Sequence, residues 1–405
     1  MKLIHTSDWH LGHTLYNYDR TEEHLSFLSQ LKEIVHEQQP DALIISGDVY
    51  HYSSPSAAVQ KMYTEAMLQI HLECPEMAIV VTAGNHDSSS KLEITSCLWD
   101  CFGMRVVGSI EKKDNQVNYD RHIVEVRNKN QEKVGYILAV PHVYPQNFPV
   151  TDPDIPREKR MESFFQSLLD ETQKRNTENL PVVLMAHLAV TGSDSTGHND
   201  MIGGMEYFNI DQLGKGYDYL ALGHIHCPQT LKNTNDRARY SGSPIPVSFD
   251  ETYSHSISLV TLEGKNPPQI ETIDIRNPRP LITLPKEPVP FEEALNQLKK
   301  FPDDDPSYIR LNVQMKDYLS PNCNEQAVEI AKEKACRFCY IKTNRLEKEK
   351  GTQNAHLSIQ ELQEKSPLDI AKLYYKEAFG EELDSELSDL LQEAIGQTNM
   401  KGDEA

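Results

Sequence analysis

No stretch of this chain is apolar over the roughly 18 residues that a membrane span requires, and the mean hydropathy is -0.56. No charged-then-apolar leader precedes the first strand, so we expect a protein that stays in the cytoplasm and has no membrane partner. Cysteine is sparse and odd in number, seven in all at positions 74, 97, 101, 227, 323, 336 and 339. That pattern excludes a disulfide framework and fits a reducing compartment. Cys336 and Cys339 form a CxxC, but Arg337-Phe338-Cys339-Tyr340-Ile341 reads as a strand, where an offset of three sends two side chains to opposite faces. Both are therefore expected to pack rather than to hold a metal. Positive charge is also short, with 40 Lys+Arg against 61 Asp+Glu and a net charge of -21. Read alone, this argues against a nucleic-acid partner. Its distribution tempers that reading, because residues 361–405 hold 4 basic against 12 acidic side chains while residues 332–350 hold 7 against 3. Two bound divalent cations would also make a site locally positive.

What the chain does have is a recurring strand end. Lys2-Leu3-Ile4-His5-Thr6 runs into Asp8 and His10. The run Asp41–Ile45 leads to Gly47-Asp48 and His51, and Ala78–Thr82 leads to Gly84-Asn85-His86-Asp87. Val182–Met185 ends at His187, and Tyr219–Leu222 ends at Gly223-His224-Ile225-His226. Each run is continuously hydrophobic, as strands buried on both faces are. Any one Asp-x-His pair is more often a hydrogen-bonded strand end than a metal site. Five strands that all end in Asp, Asn or His are another matter, since ligands of α/β sheets sit at carboxyl strand ends. The spacing thus delivers Asp8, His10, Asp48, Asn85, His187, His224 and His226 to one sheet edge, as a metal centre. Gly47, Gly84 and Gly223 stand where the chain must turn sharply or leave room.

At 405 residues the chain can build a large core and one or two smaller units. Acidic Thr21-Glu22-Glu23 opens a helix that buries Leu28, Leu31 and Val35 and ends at Pro40. Ser54-Pro55 precedes a second helix with Val59, Met62, Tyr63, Ala66 and Ile70 on one face. The alternation is a doubly wound beginning. Arg121–Val126 and Val134–Val140 read as a hairpin, residues 157–174 as a helix, and Ser256–Leu262 and Gln269–Ile275 as further strands. We therefore expect an α/β fold in which two sheets pack face to face with helices outside. Gly192–Gly204 is a polar loop suited to covering the site or meeting a partner, the alternative being a floppy surface loop without a role. The prolines from 278 to 290 read as a boundary. Beyond it, helix Phe291–Lys300, strand Tyr308–Gln314, helix Glu325–Ala335 and strand Cys336–Lys342 form a small α+β unit. A polar linker and two amphipathic helices follow. The expected division is residues 1–277, a cap at 281–346, a linker at 347–365 and terminal helices at 366–397.

Asp-x-His, Gly-Asp-x-x-His, Gly-Asn-His-Asp and Gly-His-x-His, in this order, resemble the calcineurin-like metallophosphoesterases. Gly203-Gly204-Met205-Glu206, Tyr240-Ser241-Gly242-Ser243-Pro244, Ser248-Phe249-Asp250-Glu251, the cap and the tail narrow the resemblance to the bacterial SbcD nucleases. The resemblance implies one metal on Asp8, His10, Asp48 and His226, and another on Asp48, Asn85, His187 and His224, with Asp48 bridging. An all-N/O donor set suits Mn²⁺, with Mg²⁺ or another divalent ion as alternatives, over structural zinc. By the same resemblance His86 orients the phosphate and gives a proton to the leaving oxygen, and Asp87 fixes the His86 ring. His51 matches a position that steadies the transition-state phosphate, the alternative being a loop histidine touching Asp48. His5 and His13 match no ligand position. The implied activity is Mn²⁺-dependent cleavage of duplex DNA from 3′ ends and of hairpins, as a homodimer within a heterotetramer. Its partner would be the SbcC ATPase, docked on residues 366–397, with the cap contacting DNA. Two alternatives stand beside this. A hydrolase of small phosphate esters or cyclic nucleotides would use the same metal residues but needs neither cap nor tail. A non-catalytic scaffold would have lost ligands or the proton donor, and this chain has lost none.

Overall fold

The computed structural model describes residues 1–113, 116–151, 154–197, 206–315 and 319–345, with a few isolated positions between 368 and 390. The Gly203–Met205 motif, part of the Gly192–Gly204 loop, the linker and most of the terminal helices lie outside the described residues. Met1–Arg345 forms one compact unit.

The chain opens with β1 (Lys2–Thr6), α1 (Thr21–Gln38), β2 (Ala42–Ser46), α2 (Ala57–Glu73), β3 (Ala78–Thr82) and β4 (Met104–Val107). The four strands pair in parallel in the order β1-β2-β3-β4. Ser56 caps α2, its hydroxyl accepting the Val59 N–H, two residues beyond the expected cap at Ser54. The chain then builds β5 (Ile123–Arg127), β6 (Lys133–Ala139), α3 (Arg160–Arg175), β7 (Val182–His187), β8 (Tyr219–Gly223), β9 (Gln229–Thr230) and β10 (Ala238–Tyr240). These strands make a second sheet, ordered β9-β10-β8-β7-β6-β5. β11 (Ser256–Thr261) and β12 (Gln269–Asp274) return to the first sheet, β11 running antiparallel to β1.

Alternation along each strand assigns its residues to layers. Leu3, Ala42, Ile44 and Val80 of the first sheet meet Ile137, Ala139, Met185 and Ala221 of the second in a buried apolar layer between the sheets. Ile4, Leu43, Ile45 and Ile79 face outward against α1 and α2, and Leu138, Leu184 and Leu220 face α3. The continuous apolar runs thus have two faces to bury, in a helix–sheet–sheet–helix stack.

The cap is β13 (Leu281–Val289), α4 (Phe291–Lys300), β14 (Tyr308–Met315), α5 (Cys323–Lys332) and β15 (Arg337–Arg345), a parallel sheet ordered β13-β14-β15. β13 occupies the proline-rich stretch that reads as a boundary in the sequence. It is an edge strand with its register broken between Leu284 and Val289, and edge strands and bulges are where a sheet tolerates proline. Cys336 packs with α4 and α5, whereas Cys339 faces Leu15, Phe249 and Tyr308. The two cysteines therefore point to opposite sides of the cap sheet.

Candidate metal centre

The carboxyl ends of β1, β2, β3, β7 and β8 meet at one edge of the stacked sheets. Cross-strand bonds knit their loops together. The Asp8 N–H donates to the Gly47 carbonyl at 3.0 Å, and the His10 N–H to the Asp48 carbonyl at 3.0 Å. Four of the seven candidate ligands have left-handed backbones, Asp8 (φ 53), His10 (φ 45), Asp48 (φ 51) and His224 (φ 98). Such φ values are uncommon outside glycine and cost on the order of 1–3 kcal/mol each, so they persist where surrounding structure enforces them, typically at functional sites. The glycines leave room where expected. A Cβ on Gly47, Gly84 or Gly223 would lie 2.1 Å from His187 Nδ1, 2.0 Å from Asp48 Oδ1 and 1.9 Å from the Ser46 carbonyl oxygen, respectively.

Five of the seven side chains fall into two groups that share Asp8. Asp8, His10 and His226 bring one donor atom each to within 4.8 Å of one another, and so do Asp8, Asp48 and His187. The Nε2 atoms of His10 and His226 are 3.1 Å apart. Asn85 Oδ1 lies 3.0 Å from His187 Nε2 and 2.9 Å from His224 Nδ1. Asp48 Oδ2 is 3.4 Å from His187 Nε2 and 3.8 Å from His10 Nε2, so this carboxylate faces a histidine of each group.

Outer contacts aim these donors. The His187 Nδ1–H donates to the Ser46 carbonyl at 2.8 Å, which leaves Nε2 for the centre. Glu251 Oε1 holds His226 Nδ1 at 2.9 Å and does the same for that ring. Asp8 accepts from the Ser7 hydroxyl at 2.5 Å and from the His224 N–H at 2.9 Å. Burial alone would raise the Asp48 carboxyl, but His187 and His10 hold it well below the usual carboxylate range. Burial alone would lower His187, yet Asp48 brings it up to about 9. Burial pushes Asp8 up and His10 well down. Carboxylate oxygens, an amide oxygen and imidazole nitrogens facing one another at hydrogen-bond distance form a donor set that suits divalent cations, and the residues fit such a centre.

His86 sits at the rim, its Nδ1–H donating to the His51 carbonyl at 2.8 Å. His51 stacks on His86 with ring centroids 5.3 Å apart, and its Nδ1 lies 3.3 Å from His10 Nδ1. It meets His10 and not the Asp48 carboxylate. Burial lowers His51 to about 4. The expectation that Asp87 fixes the His86 ring needs correction. The Asp87 carboxylate accepts backbone N–H groups of Val49 (3.1 Å), Tyr50 (2.9 Å) and Gly84 (2.9 Å). It is half-buried, and its loss of hydration, with Asp48 nearby, raises its pKa to about 6. Asp87 thus ties the loops after β2 and β3 together, and the carbonyl of His51 orients His86. His13 packs on His51 and its Nδ1 faces the Arg20 guanidinium at 3.2 Å. His5 lies between the sheets, 2.9 Å from the Tyr219 hydroxyl. Sequence reasoning gave no role to Glu251, Ser7 or Ser241, whose hydroxyl is 2.9 Å from Ser7 Oγ. The signal was there, since Tyr240–Pro244 and Ser248–Glu251 stand out as motifs without a task.

Residues 1–228 match the calcineurin-like phosphoesterase family, and residues 277–379 match the type 5 capsule protein repressor C-terminal domain. The chain is 32% identical over 310 residues to the D subunit of nuclease SbcCD from Rhodobacter capsulatus, covering 74% of this chain and 76% of that one. It is 28% identical over 331 residues to the Escherichia coli counterpart, 79% of each chain. The Bacillus subtilis counterpart is likewise 28% identical, over 79% of this chain and 81% of its own. With its strand ends, two sheets, cap and this likeness taken together, the chain belongs to the calcineurin-like phosphoesterase family and, within it, to the SbcD nucleases.

Proposed function

We propose that this chain is the nuclease component of a DNA end-processing complex and cuts duplex DNA from 3′ ends and opens hairpins with two Mn²⁺ ions. The convergence of Asp8, His10, Asp48, Asn85, His187, His224 and His226 from five strand ends carries the reading. Asp8, His10, Asp48 and His226 would hold one ion and Asp48, Asn85, His187 and His224 the other. Bound there, the ions would supply an activated water and offset charge on the phosphodiester. His86, its Nδ1 committed to the His51 carbonyl, presents Nε2 to hold the phosphate and pass a proton to the leaving oxygen. His51 orders that ring by stacking. Asp87 sets the loop that carries Asn85 and His86.

The cap is the DNA-contacting element in this reading. A cleft of about 910 Å³ between cap and nuclease body is lined by Lys286, Arg310 and Lys342 together with Glu251 and Asp274, a small excess of positive charge in an acidic chain. A homodimer is supported by exposed Leu68, Leu72, Ile94 and Leu98, with His71 and Phe102 in ring contact joining the segments that carry them. SbcC, the ATPase partner, would dock on the helices of residues 366–397.

Purified protein with Mn²⁺ should be offered linear duplex DNA labelled at one end and a chromogenic phosphodiester, with and without the ATPase. Shortening from the 3′ end, abolished by EDTA, is expected. Hydrolysis of the small ester with intact DNA, even with the ATPase present, would instead establish the small-phosphoester alternative.

A further inference from the structure

Three consecutive residues, Phe249-Asp250-Glu251, touch the cap on one side and a proposed metal ligand on the other. Arg310 of β14, its side chain only 5% exposed, donates Nη1–H to Asp250 Oδ1 at 2.6 Å. Its Nη2–H donates to the Phe249 carbonyl at 3.3 Å, and the guanidinium lies 5.2 Å from the centre of the Phe249 ring. The Nε–H is anchored within the cap, on Thr283 Oγ1 at 3.0 Å. One residue along the chain, Glu251 is buried, with its side chain 1% exposed. Its Oε1 holds His226 Nδ1 at 2.9 Å, while Oε2 accepts the Val247 N–H at 3.0 Å.

The same loop is tied to the cap a second time. Tyr308 lies two residues before Arg310 on β14, hence on the same face. Its hydroxyl donates to Glu23 Oε1 at 2.7 Å, Glu23 pairs with Arg20 Nε at 3.3 Å, and Arg20 Nη1–H donates to the Pro246 carbonyl at 2.6 Å. The 246–251 loop is thus held at both ends by groups that answer to β14. The nitrogen a histidine offers to a metal is decided by the partner of its other nitrogen. A displacement of this loop therefore moves the partner that selects Nε2 of His226.

We propose that Glu251 is a positioning residue that fixes His226 toward the metal centre, and that Arg310 of the cap latches the loop carrying Glu251, so that filling of the metal position shared by Asp8, His10 and His226 depends on cap docking. The proposal rests on the metal-centre reading above. DNA or a protein partner that shifts the cap then acts on one of the two ions and spares the other.

The test is Mn²⁺ titration by calorimetry of the metal-free full chain, at a temperature where melting curves show every variant folded. Wild type should take up two ions. Glu251→Ala should weaken one of them about 10–100-fold, the usual effect of removing an outer-shell partner, and leave the other at wild-type affinity. Glu251→Gln keeps the shape and an acceptor oxygen, so it carries the same test should the alanine variant not fold, with a smaller loss at the same position. Arg310→Ala and Asp250→Ala should each weaken that position, and the double variant should be no worse than Arg310→Ala alone, because removing Arg310 already takes away the Asp250 contact along with the bond to the Phe249 carbonyl. Unchanged binding by both Glu251 variants would overturn the positioning role. Unchanged binding by Arg310→Ala beside a weakened Glu251 variant would overturn the latch. A wild-type chain that takes up no second ion would remove the metal reading itself, a failure visible before any variant is made.

Discussion

Replacing Gly84 by alanine adds one methyl group where there is no space for it. The new Cβ would sit 2.0 Å from Asp48 Oδ1 and 2.3 Å from the Asp48 amide nitrogen, whereas ordinary contact begins at 3.4 Å. Asp48 would have to retreat by roughly 1.4 Å, against a tolerance of about 0.2 Å in metal–ligand distance. Asp48 faces a histidine of each donor group, so the substitution should cost both ions together rather than one. The strain should also cost about 1–3 kcal/mol of stability, as overpacking does. Gly103→Ala is the matched control. It carries the backbone penalty of a left-handed glycine (φ +69) but meets nothing within 4 Å, so it should lose about 1 kcal/mol and bind metal normally. The assay is Mn²⁺ calorimetry beside thermal melting in EDTA. A Gly84→Ala protein that takes up two ions at wild-type affinity would refute the bridging position of Asp48.

His86→Ala should retain both metals yet lose roughly 10²–10⁴-fold in cleavage rate, the range for a general acid; metal content and rate measured on one sample decide it, and normal cleavage or a metal-free protein would contradict the role. Asp48→Ala should weaken both metal positions, and Asp8→Ala chiefly one; equal single losses in calorimetry would speak against the bridge. Burial holds His5 and His24 down to about 3 and, with Arg20 beside it, His13 down to about 2. The unfolded chain therefore binds protons at these positions below about pH 6.5 while the fold does not, a slope of up to about 1.4 kcal/mol per pH unit for each. Stability in EDTA should be full above pH 6.5 and fall as pH drops toward 3; a flat melting temperature between pH 6.5 and 4.5 would count against it. Deleting residues 361–405 should abolish co-elution with SbcC and leave Mn²⁺-dependent cleavage intact, whereas aggregation of the shortened chain would mean those helices pack on the nuclease itself.

Much of the site was legible in the sequence because its chemistry sits where strands stop. A strand buried on both faces is apolar throughout, so the first polar residue marks its end, and β1, β2, β3, β7 and β8 all announce themselves this way. What escaped depends on contacts between residues distant in sequence. Glu251 lies 25 positions from His226, and the Ser248–Glu251 motif that carries it does not say which side chain it meets. Asp87 was given the His86 ring by resemblance, yet the amides of Val49 and Tyr50, brought near only by folding, claim its oxygens. β13 was hidden by Pro285 and Pro288, residues that argue against a central strand but not against an irregular edge.

The donor set is divided between two sheets that are also hydrogen-bonded to each other at the site. Asp8, His10, Asp48 and Asn85 are fixed to the first sheet, and His187, His224 and His226 to the second. The separation of the two halves is then set by the thickness of the buried apolar layer behind them, where Ala42, Ala139 and Ala221 lie among larger side chains. Those alanines behave as shims. A larger residue at any of them would wedge the sheets apart and widen the gap between ligands that it never touches, so the spacing of the ions is adjustable from inside the hydrophobic core.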